Sequence, residues 1–278
     1  LKRTPEQIYE LVNKLHRVPH LKLPFKFDVS LIQKEMSSIL KWTPHSHAGF
    51  KQMSPEDMTY YSKGYSGVSL YEYNGQANYA TDNYEIYNNT EPGVTYDKVT
   101  GKVLFLATEL TAKMPYTKSV IDKISLRKGR TRIMRSDPDH SIVWHSHNRG
   151  PWFNEFMQEA IIHIPIITDP LVLHTVRDYR HPDSQIEKGT SVSYSRLMES
   201  SDVYRQHYEA GDCWLFNSWH DHYYHNYSSI TRYTLLFYIR WFDNEDFVNL
   251  IEEALKSYTG PLINTDLNEQ VATQDNKL

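Results

Sequence analysis

Apolar residues recur at two different spacings along this chain, and the change from one to the other divides it. From Thr4 to about Val18, the residues Ile8, Leu11, Val12 and Leu15 fall at helical spacing. Thr4 is placed to cap that helix, and Pro5 suits its first turn. A second helix is predicted from Asp28 to Leu40, with Leu31, Ile32, Met36 and Ile39 as its stripe, and a third from Tyr116 to Ile124. Residues 44–100 between them are polar and turn-rich, and hold nine of the 21 tyrosines. Within this stretch, Gly67 to Tyr73 reads as a strand running into an Asn74-Gly75 hairpin turn.

After Gly129 the texture becomes that of short strands separated by turns. The candidates are Arg130–Arg135, Ser141–His147, Ala160–Thr168, Val172–Arg177, Tyr204–Glu209, Cys213–Phe216, Asp221–Asn226 and Tyr233–Trp241. Strands in this number without long helices between them predict a mainly β fold, a sandwich or a small barrel. A closing helix is expected over Asn244–Ser257, with Phe247, Leu250, Ile251 and Leu255 on one face. The expected organisation is an elaboration over residues 1–128 packed on the core, a β core with its closing helix over 129–258, and a flexible tail over 259–278.

Composition narrows the function classes. The net charge is −4, and Lys and Arg are scattered rather than massed, so no nucleic-acid partner is expected. No apolar run reaches the length of a membrane-spanning helix, so no membrane partner is expected either. The single cysteine, Cys213, forbids an internal disulfide and makes a cytoplasmic location the default expectation.

Histidine placement carries the chemistry. Trp144-His145-Ser146-His147 ends a predicted strand, where residues two apart share a face, so His145 and His147 can aim at one interior point. A second cluster, His220-Asp221-His222-Tyr223-Tyr224-His225-Asn226, follows some 75 residues later on another strand. Imidazole suits iron, zinc, copper or nickel. A single buried histidine is most often a hydrogen-bonded core residue, but two such pairs on strands of one β unit favour a metal site. Arg232 opens an apolar strand six residues after Asn226. A guanidinium there calls for an anionic partner, and its fork suits a dicarboxylate; a structural salt bridge is the alternative.

In order along the chain, these pieces resemble the aspartyl/asparaginyl β-hydroxylase-like branch of the 2-oxoglutarate-dependent Fe(II) oxygenases. Arg130 to Arg135 resembles that family's opening core strand, Ser141 to His145 the strand bearing the first metal histidine, and Ile161 to Ile167 the next inner strand. Glu209 to Ser218 resembles the turn and strand before the distal histidine, and His222, Asn226 and Arg232 match an H-x3-N-x5-R pattern. The resemblance spans about residues 129–241. It implies a double-stranded β-helix, the cupin-like jelly roll, carrying N-terminal helices and a C-terminal helix.

It further implies that His145 and His222 ligate Fe(II), that His163 touches 2-oxoglutarate, and that Arg232 grips its distal carboxylate. The implied reaction hydroxylates an unactivated C–H of an amino acid, peptide side chain or small polar molecule with O2, releasing succinate and CO2. Two positions depart from the family. His147 stands where Asp or Gly is usual, so it is a third ligand, is replaced by water, or serves substrate; a vacant position would admit a halide and turn the enzyme to halogenation. Ile161 stands where relatives place an arginine, and Arg132 is the expected substitute contact. Arg135 and Arg149, with Arg177 and Arg180, are candidates for a substrate carboxylate.

Two rival readings are a cupin metal dioxygenase that does not use 2-oxoglutarate, with Glu155 as a further ligand, and a non-catalytic β-sandwich binding through its tyrosine-rich face. Arg232 speaks against the first, because such a dioxygenase needs no carboxylate clamp there.

Overall fold

A computed structural model describes residues 3–44, 64–72, 75–77, 105–124, 129–145, 159–177, 193–199, 203–240 and 245–263. The first helix, α1 (Pro5–His16), begins with a reciprocal cap: the Thr4 hydroxyl accepts from the Gln7 backbone, and the Gln7 side chain accepts from the Thr4 N–H. Strand β1 (His20–Lys26) follows, then α2 (Val29–Glu35), which Asp28 caps and which tightens into a single 3-10 turn over Met36–Ser38. Short strand β2 (Thr43–Pro44) and the longer β3 (Tyr65–Glu72) come next. After them run β4 (Leu106–Ala107), α3 (Glu109–Lys113) and α4 (Pro115–Ile124).

Eight strands then complete two sheets: β5 (Thr131–Ser136), β6 (Ser141–His145), β7 (Glu159–Ile167), β8 (Val172–Arg177), β9 (Val203–Gln206), β10 (Asp212–Phe216), β11 (Asp221–Asn226) and β12 (Arg232–Arg240). Helix α5 (Tyr194–Glu199) precedes β9, and α6 (Glu245–Lys256) closes the described chain. The large sheet has the order β1-β10-β7-β12-β5-β3-β2, with β4 also on β3; the small sheet has the order β6-β11-β8-β9. All pairs are antiparallel. The eight strands β5 to β12 are divided four and four and change sheet at every connection except β8 to β9, as in a double-stranded β-helix, so the core is a jelly roll. No helix among the described residues is long and apolar enough to cross a membrane.

Period-two alternation gives the large sheet two different faces. Outward go Ile162, Ile164 and Ile166 of β7, Leu235, Phe237 and Ile239 of β12, Leu21 and Leu23 of β1, and Leu215 of β10. They form one buried cluster with Leu11 and Leu15 of α1, Ile32 of α2, Ile121 of α4 and Ile251 of α6. Inward, one row of register partners runs Trp214, His163, Leu236, Arg132, Ser69 across five strands. The outer face of the small sheet has its own cluster of Trp144, Leu173, Leu197, Val203 and Tyr223.

The two ends of the jelly roll differ as well. At one end the strands are joined by short turns over 137–140, 168–171, 207–211 and 227–231. At the other, β6 leads to β7 through 146–158, and β8 leads towards α5 through 178–193. The short-turn end is cross-tied by Asn226. Its amide nitrogen donates to the carbonyls of Asp137 (3.1 Å) and Ile230 (2.9 Å), and its oxygen accepts from the backbone of Ser228 (3.2 Å). Two of these turns hold a left-handed residue: Asp139 has a φ of +57°, and Gly211 has a φ of +80°, where a Cβ would lie 2.3 Å from the Phe27 carbonyl.

Phe237 sits at the centre of the helix-covered face, 1% exposed. Phe237→Ala is expected to lower stability by about 3–5 kcal/mol through the cavity it leaves. Urea unfolding of the purified variant measures this; a loss below about 1 kcal/mol would mean that the helices do not cover β12.

Candidate functional site

Around Arg232, the described interior between the sheets is lined mostly by rings. Inward positions of β11 carry His222 and Tyr224, and their register partners on β8 are Val176 and His174. Facing them from the large sheet are His163 of β7, Phe216 and Trp214 of β10, and Arg232 at the start of β12. Ring contacts join the two sheets: Phe216 meets His222 edge-on at 4.9 Å between centroids, and His163 meets His174 edge-on at 4.9 Å. Tyr208, from the turn before β10, stacks on His174 at 4.2 Å and on Trp214 at 4.8 Å.

Arg232 is 4% exposed. Its Nη2 donates to Nε2 of His174 at 3.0 Å, and its guanidinium carbon lies 4.6 Å from the centre of the Tyr224 ring. Among the described residues no carboxylate pairs with it, and its buried Nε has no hydrogen-bond partner. Arg132 offers an internal contrast. It is equally buried, but its Nη2 pairs with the Glu72 carboxylate at 3.2 Å and its Nε donates to the Ser69 hydroxyl at 3.3 Å; Arg130 grips the same carboxylate at 3.0 Å. Guanidinium groups stay charged in proteins, and leaving one buried without a counter-charge costs several kcal/mol. Arg232 therefore holds a buried positive charge that no described group neutralises.

His222 is fixed by its neighbour. Its Nδ1 lies 2.9 Å from the His220 carbonyl, which can only accept, so Nδ1 carries a proton, as it does in an imidazole that ligates a metal through Nε2. Across the ladder, the register partner of His222 is His145, the last residue of β6. Among the described residues no three His, Cys, Asp or Glu side chains gather as a metal site. His147 and Arg149 lie outside the described residues, as do Glu155 and Arg180. The donors that are described fit the implied groups in kind: an imidazole for a metal and, for a carboxylate, a guanidinium that no described carboxylate pairs with.

The remaining candidates are placed as follows. His163 is 7% exposed, and neither of its ring nitrogens has a hydrogen-bond partner, so it too presents polar atoms to the interior. Arg132 shares the inward face but lies on the far side of Leu236 from His163. Arg135 points to the opposite face of β5 and pairs with Asp137 at 2.9 Å. Arg177 lies on the outer face of the small sheet, over the Trp144 ring at 4.2 Å and paired with Asp221 at 3.3 Å. The structure thus brings together His222, His163 and Arg232, and keeps Arg135 and Arg177 apart from them. His220 turns away and bonds the His16 carbonyl at 3.0 Å.

Sequence reading missed His174, Tyr208 and Tyr224, which build the wall around Arg232. For His174 the available signal was alternation, since Val172, His174 and Val176 share one face of β8. A cleft of about 590 Å3 also opens between β1 and β9 behind Trp214 and His20, and the Tyr204 and Tyr258 hydroxyls that line it already donate to the carbonyls of Leu262 and Pro261.

No known family and no curated protein matches the chain by sequence. Among solved structures, it is similar to an oxidoreductase of the 2OG-Fe(II) oxygenase family from Burkholderia pseudomallei, at 13% identity over 86% of this chain and 93% of that one, with a TM-score of 0.42. It is also similar to HygX from Streptomyces hygroscopicus, solved with nickel, 2-oxoglutarate and hygromycin B, at 11% identity over 85% and 86%, with a TM-score of 0.41. A cupin domain from Bordetella pertussis Tohama I shares 12% identity over 41% of this chain and 84% of that one, with a TM-score of 0.25. Likenesses this distant leave the fold to rest on its strand order and the site on its own residues.

His20, His163 and His174 are held neutral. Burial pushes His20 down to about 4, partly offset by its bond to the Tyr204 carbonyl. Burial first and Arg232 second push His163 and His174 well below the ordinary histidine range. The unfolded chain takes up protons near pH 6.5 that these folded rings refuse, so their contribution to stability is full above that pH and is lost as the pH falls below it. His20 alone is expected to contribute about 3 kcal/mol of that loss between pH 6.5 and 4. Urea midpoints at pH 7.5 and 5.0 measure the effect, and equal midpoints would show that these rings are not buried neutral.

Proposed function

We propose that the protein is a 2-oxoglutarate- and Fe(II)-dependent oxygenase acting on a small-molecule or peptide substrate. One observation carries the reading: a buried guanidinium, with no carboxylate paired to it among the described residues, lies over the ring of Tyr224, whose inward neighbour two residues along β11 is His222. Inward neighbours two apart on a strand are about 7 Å apart. That separation lets a short dicarboxylate reach from a metal on His222 to Arg232. When bound, iron and 2-oxoglutarate supply the oxidising chemistry, in which O2 hydroxylates a substrate C–H as succinate and CO2 are released.

The chain's own residues bind and orient. His145 and His222, register partners on adjacent strands, are the protein ligands to the metal. Arg232 takes the distal carboxylate in its two-pronged fork. Tyr224 underlies the guanidinium, and His163 offers a ring nitrogen to the same ligand. The surrounding rings of Phe216, Tyr208 and Trp214 keep the site dry, which strengthens the ion pair.

Fe(II) titrated anaerobically into the apo protein is expected to give a visible charge-transfer band only after 2-oxoglutarate is added. His222→Ala should abolish it. Arg232→Ala should raise the 2-oxoglutarate concentration needed by about thirtyfold or more, a loss of about 2 kcal/mol or greater. Iron binding that 2-oxoglutarate leaves unaltered would instead support a cupin dioxygenase, and no iron binding would leave a binding module.

A further inference from the structure

We propose that His174 is a positioning residue: its neutral imidazole accepts from Arg232 and so aims the guanidinium fork at the distal carboxylate of the ligand. The inference rests on the reading of Arg232 as the carboxylate clamp, and concerns how that clamp is held when empty. A guanidinium has donors only, so the 3.0 Å contact from Arg232 Nη2 to His174 Nε2 makes Nε2 an acceptor and leaves the proton on Nδ1. Nδ1 is buried and has no partner, so the ring sacrifices one hydrogen bond to hold this orientation.

The ring is itself fixed. Tyr208 stacks on it at 4.2 Å with 14° between planes, while His163 and Phe216 meet it edge-on at 4.9 and 5.6 Å. Every titratable or charged group packed around it acts towards neutrality or leaves it unchanged. Arg232 from β12, His163 from β7, His20 from β1 and His207 from the turn after β9 all oppose a second positive charge. A lysine or protonated ring here would repel Arg232, and a carboxylate here would neutralise it and compete with the ligand. A neutral acceptor is the one kind of group that both orients the cation and leaves its charge to the ligand.

A guanidinium held by one edge keeps its remaining N–H groups for the ligand. The ligand then need not meet the full entropic cost of ordering a long side chain when it binds. The contribution is made only to ligands that reach Arg232, which separates a positioning role from a merely structural one.

The test is equilibrium binding, by calorimetry in the presence of Ni(II), of 2-oxoglutarate and of 2-oxobutyrate, which has the same chelating end but no distal carboxylate. His174→Phe keeps an aromatic ring against Tyr208 and removes the acceptor; His174→Gln restores an acceptor at the reach of Nε2. The expected result is that His174→Phe weakens 2-oxoglutarate by about tenfold and leaves 2-oxobutyrate within about threefold of the parent, while His174→Gln recovers most of the loss. Equal weakening of both ligands, or failure of Gln to do better than Phe, would overturn the proposal. So would unchanged 2-oxoglutarate binding in His174→Phe when Arg232→Ala loses it. If Arg232→Ala itself binds 2-oxoglutarate like the parent, the clamp reading fails first and takes this role with it.

Discussion

A positive charge that cannot be removed is buried between the two sheets, and the side chains around it are arranged to suit it. Arginine keeps its proton at any pH a protein survives, so burying Arg232 forces its neighbours to be acceptors, π faces or nothing. The side chains that touch it obey that constraint: His174 accepts, and Tyr224 presents its ring face. The nearby imidazoles of His163 and His174 are driven neutral by the same burial and by the same charge. Arg132 shows what the fold does when an arginine is purely internal, for it closes on Glu72 and Ser69 and leaves nothing outstanding.

Such an interior is affordable because stability is gathered elsewhere. Strand β7 makes the division plain: Ile162, Ile164 and Ile166 enter the helix-covered cluster, while Ile161, His163 and Pro165 face the rings. Each strand of the large sheet therefore does two jobs on alternate residues. A one-residue slip in register would bury His163 among aliphatic side chains and expose the isoleucines to the polar interior. The same alternation that builds the core thus also fixes which groups can reach a ligand.

Much of this was legible in the sequence. Strong helical stripes located α1, α4 and α6, and the Val172–Arg177 and Asp221–Asn226 strands fall at the bounds their alternation implied. Alternation also puts Arg132 and Met134 on one face of β5, the inward one, and Arg135 on the other. Strand β1 was missed because Pro24 and two lysines interrupt it; at the edge of a sheet a proline sacrifices no ladder bond and lysines face water. The Asp28 helix was read too long, since Met36–Ser38 tightens into a 3-10 turn. Partnerships were the least legible. Nothing in the neighbourhood of Arg132 announces Glu72, and nothing near Arg232 announces His174, because each pair is brought together by strands far apart in the chain. The Asn74-Gly75 turn signal lies partly outside the described residues, and so does His147.

The amide of Asn226 makes the two ends of the jelly roll unequal in what they can inherit. It bonds both the turn that enters β6 and the turn that enters β12, so a residue inserted in either would shift Arg232 along its strand. Strands β6 and β8 end on the opposite side, at His145 and Arg177, away from that tie. Lineages descended from this chain can change length beyond those strand ends without pulling on Asn226, and so keep the floor around Arg232 unaltered. Diversification should then proceed by grafting at the rim, and a laboratory seeking new selectivity would do well to recombine there and leave the floor alone.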